Sequence, residues 1–209
     1  MEKFRFKSEV WTSEYTGIRA NTIHAFLKAL RHVHEDVIYY HLYRNIFEFH
    51  YLPLDYANSF AYWMAENGYY VLAEKLSVID PLQYTNLEDI RLDLIKVLEE
   101  SDEDLDVLCD KPFYFIRAIR MAVDLNIEAT DLKTFVEGIK KIGWHSLFYH
   151  MVTARLKLGK PINDFSRWLE NIGEKQLAEE VSNINLWAHT LREVKGKLIS
   201  IIERRLYAH

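Results

Sequence analysis

Two Tyr-His pairs carry the best-defined polar chemistry in the chain, Tyr40-His41 and Tyr149-His150, set 109 positions apart (150 − 41). An imidazole beside a phenol can move a proton, bind a metal or hydrogen-bond inside a core. The neighbours favour the last of these. His41 follows Ile38 by three and precedes Leu42, and His150 stands likewise between Leu147 and Met151, so both rings lie on apolar stripes. A neutral histidine bonded to a backbone group or a tyrosine is the common occupant of such a position. The four residues read as a structural polar pair in each half. His41 and His50 are nine positions apart, about 900° around a helix, and so cannot share a metal from one helix. The chain has no HExxH, no paired Glu-x-x-His, no phosphate-cradling glycine loop and no GxSxG elbow. No metal, no cofactor and no catalytic residue is expected.

A second group is set apart by what the recurrence does not require. Phe60, Trp63 and Gly68 match Phe165, Trp168 and Gly173 at an offset of 105 (168 − 63), so four residues are extra between His41 and Phe60. They fall in His50–Asn58, HYLPLDYAN, which the second half replaces with LGKPIND; Arg44, just before it, has Thr153 as its counterpart. Loops on a rigid scaffold are where binding groups gather. Arg44, His50, Asp55, Tyr56 and Asn58 are therefore the candidate ligand contacts: Arg44 for an anion, His50 and Asp55 for a shared proton, Tyr56 for stacking or a hydrogen bond. The plainer alternative is a loop that covers the first half's own core.

The elements holding these residues read as helices. Ile23, Phe26-Leu27, Leu30 and Val33 recur at three and four residues, as do Leu132, Phe135-Val136, Ile139 and Ile142. Asn21 or Thr22, Thr130 or Asp131, Asp36, Asn58 and Asn163 or Asp164 are placed to cap helices, and Thr85…Glu88 and Thr190…Glu193 have capping-box spacing. A period near a hundred is too long for a solenoid repeat and indicates a duplicated domain. The expected fold is all-α: two homologous helical bundles of about five or six helices each, residues 1–104 and 105–209, packed with approximate two-fold pseudosymmetry.

Composition bounds the function. The 209 residues are 49% hydrophobic and 27% charged, ordinary for a soluble globular protein. The single Cys109 suits a reducing cytoplasm, and no apolar run reaches signal-peptide or membrane-spanning length. Net charge is −5, but the first 104 residues carry 10 basic and 18 acidic side chains and the rest 16 and 13, so the halves are complementary in sign. That balance argues against a nucleic-acid binder. The expected function is a non-enzymatic soluble binding or interaction module, its partner a protein or a polar small molecule and self-association compatible with it; neither nucleic acid nor membrane is expected. The alternative is a small-ligand protein or enzyme with a polar site at residues 44–58.

The residues also carry a resemblance. FxF, then Tyr15-Thr16-Gly17-Ile18-Arg19-Ala20 (YTGxxA), Tyr39–His41 (YYH), His50–Leu52 (HYL) and Asn58–Trp63 (NxFAYW) resemble a prokaryotic family catalogued only as a domain of unknown function. The likeness covers the first half more fully than the second. It implies that the Tyr-His pair and the 50–58 loop belong to the family pattern, and it implies no activity.

Overall fold

Phe4-Arg5-Phe6 and Phe113-Tyr114-Phe115, the outermost matched residues of the two halves, each begin a strand. In the computed structural model, which describes residues 3–49, 56, 58–186 and 189–207, strand β1 spans Phe4–Ala20 and β2 spans Phe113–Ala129. They form a two-stranded sheet. Its antiparallel register is fixed by Lys3 on Glu128, Glu14 on Arg117, and the Thr16 hydroxyl donating to the Phe115 carbonyl, one number rising as the other falls. This overturns the all-α expectation: the fold is mixed, with two long strands of 17 residues each among the helices. The alternation that betrays a strand was missing for a physical reason. Each strand buries Phe-x-Phe at its start and an Ala at its end, while most of its middle is exposed on both faces, so no apolar period of two builds up. What remained readable was composition: aromatic and β-branched residues crowd both segments. Gly17 and Asn126, at matched positions, both take the left-handed conformation, which Asn tolerates better than most side chains.

After β1 come α1 (Ile23–Leu30), α2 (Glu35–Phe49), α3 (Ser59–Glu66), α4 (Tyr70–Ser77), a 3-10 turn (Pro81–Gln83) and α5 (Leu87–Glu99). After β2 come α6 (Leu132–Lys141), α7 (Trp144–Phe148), a π-helical stretch (Tyr149–Thr153), α8 (Ala154–Leu158), α9 (Asp164–Asn171), α10 (Lys175–Ser182) and α11 (Leu191–Tyr207). No helix is long and apolar enough to cross a membrane among the described residues. Starts are set by side chains that satisfy orphan N–H groups: Thr22 for α1, Asn58 for α3, Asp131 for α6 and Asn163 for α9. At α5 the cap is Asn86, accepting from the Asp89 amide, rather than Thr85. Helix ends are closed by matching cations: Arg91 donates to the carbonyl of Leu30, the last residue of α1, and Lys195 to the Lys140 and Ile142 carbonyls at the end of α6.

The chain divides into two compact units, Trp11–Ile119 and Met1–Val10 with Arg120–His209. The division therefore falls inside the strands, and each strand contributes to both units. In the 11–119 unit, Phe113 and Phe115 pack on Phe26, Phe60 and Trp63, with the Phe26 and Trp63 rings stacked at 5.0 Å. In the other, Phe4 and Phe6 pack on Phe135, Phe165 and Trp168. Each aromatic core is thus closed by the Phe-x-Phe of the strand that precedes the other set of helices. The connector after α5 is docked within the 11–119 unit: Leu105 accepts from the His24 amide, and the Cys109 amide donates to Asn21.

Candidate functional site

Both Tyr-His pairs sit on the long helix that follows the first helix of their half, and both imidazoles are buried. In each case the ring meets a strand backbone. The Ile116 amide donates to His41 Nε2 at 3.1 Å, and the Lys7 amide donates to His150 Nε2 at 2.9 Å. With Nε2 accepting, the proton of the neutral ring is on Nδ1. His150 Nδ1 then donates to the Asp164 carboxylate at 3.0 Å, at the start of α9. His41 Nδ1 is buried and finds no hydrogen-bond partner among the described residues. Burial, with the Arg44 cation adding to it, pulls the His41 imidazole down to about 3. Burial also lowers His150, but the Asp164 carboxylate pulls the other way. Tyr40 and Tyr149 are buried beside them, their phenols pushed up chiefly by desolvation. The two imidazoles therefore pin strands to helices.

Of the loop candidates, His50 and Asp55 lie outside the described residues. Arg44 on α2 is paired with Glu48, with Nε–Oε2 at 2.8 Å, and lies over the Tyr40 ring at 5.6 Å. Tyr56 is half-buried. Asn58 is buried; it caps α3 through its carbonyl oxygen and donates from its amide to the Leu76 carbonyl, so its polar groups serve the fold. Among the described residues, no group of three or more His, Cys, Asp or Glu side chains is placed as metal ligands would be.

A cavity of about 350 Å³ lies instead in the 1–10/120–209 unit. Lys3, Arg5 and Lys7 of β1 line it with Tyr149, His150 and Lys157 of the π-interrupted helix Trp144–Leu158 (α7, the π-helical stretch and α8, together the bent helix) and Asp164, Arg167 and Trp168 of α9. One wall is the π-helical stretch, a local winding that costs stability and recurs at functional sites. It carries buried Thr153, whose hydroxyl donates to the buried Glu9 carboxylate at 2.8 Å. Lys157 sits over the Tyr149 ring at 4.6 Å. Sequence reasoning passed over these cations because they come from three separated segments, and each alone looks like a solvated surface residue. The signal that could have found them is the substitution pattern across the recurrence: Lys7, Lys157 and Arg167 stand opposite Ile116, Glu48 and Tyr62 at the offsets of 109 and 105.

Over residues 1–203 the sequence matches DUF5752, described as a family of unknown function. The chain belongs to the DUF5752 family. Its fold is also similar to that of OrfY from Thermoproteus tenax: 30% identity, TM-score 0.82, covering 97% of this chain and 95% of that one. No curated protein matches the sequence. The DUF5752 fold seen here thus has a solved structural relative that matches it over nearly the full length of both chains.

Proposed function

We propose that this DUF5752 protein is a non-enzymatic cytoplasmic binding module derived by duplication of a unit made of one long strand followed by helices, the repeat boundary lying near 104/105. The observation that carries the reading is the state of the two histidines. Groups suited to acid-base work are held neutral, buried and hydrogen-bonded to strand amides, which fits scaffolding rather than turnover. Duplication is supported by the elements themselves: β1 and β2, α1 and α6, and α2 and the Trp144–Leu158 helix begin 109 positions apart (113 − 4, 132 − 23, 144 − 35), and α3 and α9 begin 105 apart (164 − 59). The occupant we favour is a polar small molecule in the cavity walled by β1 and the bent helix. A ligand site at residues 44–58 is the competing reading, with Arg44 and Tyr56 joined by His50 and Asp55; the pairing of Arg44 with Glu48 and the capping role of Asn58 weigh against it.

Ligand-observed NMR on pools of polar metabolites tests the proposal. Binding should appear as line broadening, with every compound recovered chemically unchanged after prolonged incubation. Conversion of any compound at a rate that scales with protein concentration would overturn it.

A further inference from the structure

The cavity beside His150 has five cationic side chains on its walls, Lys3, Arg5, Lys7, Lys157 and Arg167, and one carboxylate, Asp164. That carboxylate is held by the His150 ring. Lys3 and Arg5 share Glu128. Lys7, Lys157 and Arg167 make no ion pair among the described residues. Three cations from three elements thus line one concave space against the single carboxylate of Asp164, an excess of positive charge that a bound anion would relieve.

The fold does not ask for this charge. At the matched positions of the other half, Ile116, Glu48 and Tyr62 replace Lys7, Lys157 and Arg167 (116 − 7, 157 − 48, 167 − 62), while the buried aromatic core around them is kept residue for residue. Only this half, moreover, has the π-helical winding at the cavity wall; the matched stretch of α2 is regular helix. Burial lowers Lys157, and Arg120 and Lys7 push it the same way against the pull of Glu9 and Asp164.

We propose that this cavity binds a phosphate-bearing small molecule, its dianionic group held by the ammonium groups of Lys7 and Lys157 and the planar fork of Arg167. Two point charges and one bidentate donor suit the three equivalent oxygens of a phosphomonoester better than a single carboxylate. A concave space of about 350 Å³ suits a small ligand. The inference rests on the binding-module reading above and assigns its ligand class and residues.

The test is titration of the full chain with inorganic phosphate and, separately, glycerol 3-phosphate, followed by amide NMR shifts at constant ionic strength, with chloride and glycerol as controls. Phosphate and the ester should shift amides of β1, the bent helix and α9 together, and the controls should not. The triple variant Lys7→Ile, Lys157→Glu, Arg167→Tyr, which installs side chains the other half folds with, should weaken binding by at least about tenfold. Single variants Lys157→Gln and Arg167→Gln should each weaken it by a smaller factor, and they decide the matter if the triple variant does not fold. Undiminished affinity in the variants, or shifts no larger with phosphate than with chloride, would overturn the site. Hydrolysis of glycerol 3-phosphate in this cavity would instead leave the site standing and defeat the non-enzymatic reading.

Discussion

The surroundings of His41 and His150 make a paired experiment within one chain. Both rings accept a strand amide on Nε2 and sit among phenylalanines, His41 against Phe60 and Phe113, His150 against Phe4 and Phe165. They differ at Nδ1: His150 meets Asp164, whereas in the half of His41 the matched residue is Ser59 (164 − 105), and His41 Nδ1 finds no partner among the described residues. The strand-to-imidazole bond is thus the common requirement of the fold, and the carboxylate is an addition. It lines the same cavity as Lys7, Lys157 and Arg167. The buried ring of His41 is the more frustrated of the two, since an unpaired buried donor costs about 1 to 3 kcal/mol.

The largest expected effects test whether the cores are equivalent. Phe6→Ala and Phe115→Ala each remove a fully buried ring at matched positions and should each cost about 3 to 5 kcal/mol in chemical denaturation. A large inequality between the two would break the comparison at its base. Replacing His150 with Ala leaves both the Lys7 amide and the Asp164 carboxylate without their partner, so it should cost more than His41→Ala, about 2 to 4 against about 1 to 3 kcal/mol.

Acid should separate the histidines further. The unfolded His41 titrates near its ordinary value of 6.5 and the folded one at about 3. Between these values the unfolded chain binds a proton that the folded chain refuses, so this contribution is fully present above 6.5 and is lost as pH falls towards 3. Urea unfolding from about pH 7 to about pH 4 should show a decline on the order of a few kcal/mol that His41→Ala reduces. An unchanged slope in that variant would place the acid sensitivity elsewhere.

Gly138 on α6 probes the strand–helix contact from another side. A Cβ there would stand 2.2 Å from the Phe6 ring, whereas the matched residue, 109 positions earlier, is Ala29. Gly138→Ala should therefore destabilise by about 1 to 3 kcal/mol, although the same change in an open helix stabilises by about 1; a gain in stability would mean the ring yields freely. The smallest effect is the sharpest. Ser59→Asp offers His41 the carboxylate that His150 has, and should stabilise by about 1 kcal/mol and raise the His41 pKa, read by NMR titration. Stabilisation without a change in that pKa would reduce the effect to helix-dipole charge at the start of α3.

Much of this was legible from residue order. Helix caps at Asn58 and Asn163, apolar stripes through Phe26 and Phe135, and the aromatic pairs Phe60–Trp63 and Phe165–Trp168 depend on spacings of three and four, which local geometry alone determines. The recurrence itself needed only counting. The strands were hidden because their faces are mostly exposed, so burial left no alternation to read, and the candidate ligand residues were sought in the loop that interrupts the recurrence. Which Phe-x-Phe closes which core could not be read from order, because the pairing of residues 4–6 with 135–168, and of 113–115 with 26–63, joins segments far apart in the chain. The same holds for the cavity: Lys7, Lys157 and Arg167 acquire meaning only once a strand, a bent helix and the start of α9 bring three like charges to one place, and that is decided by packing, not by any local rule.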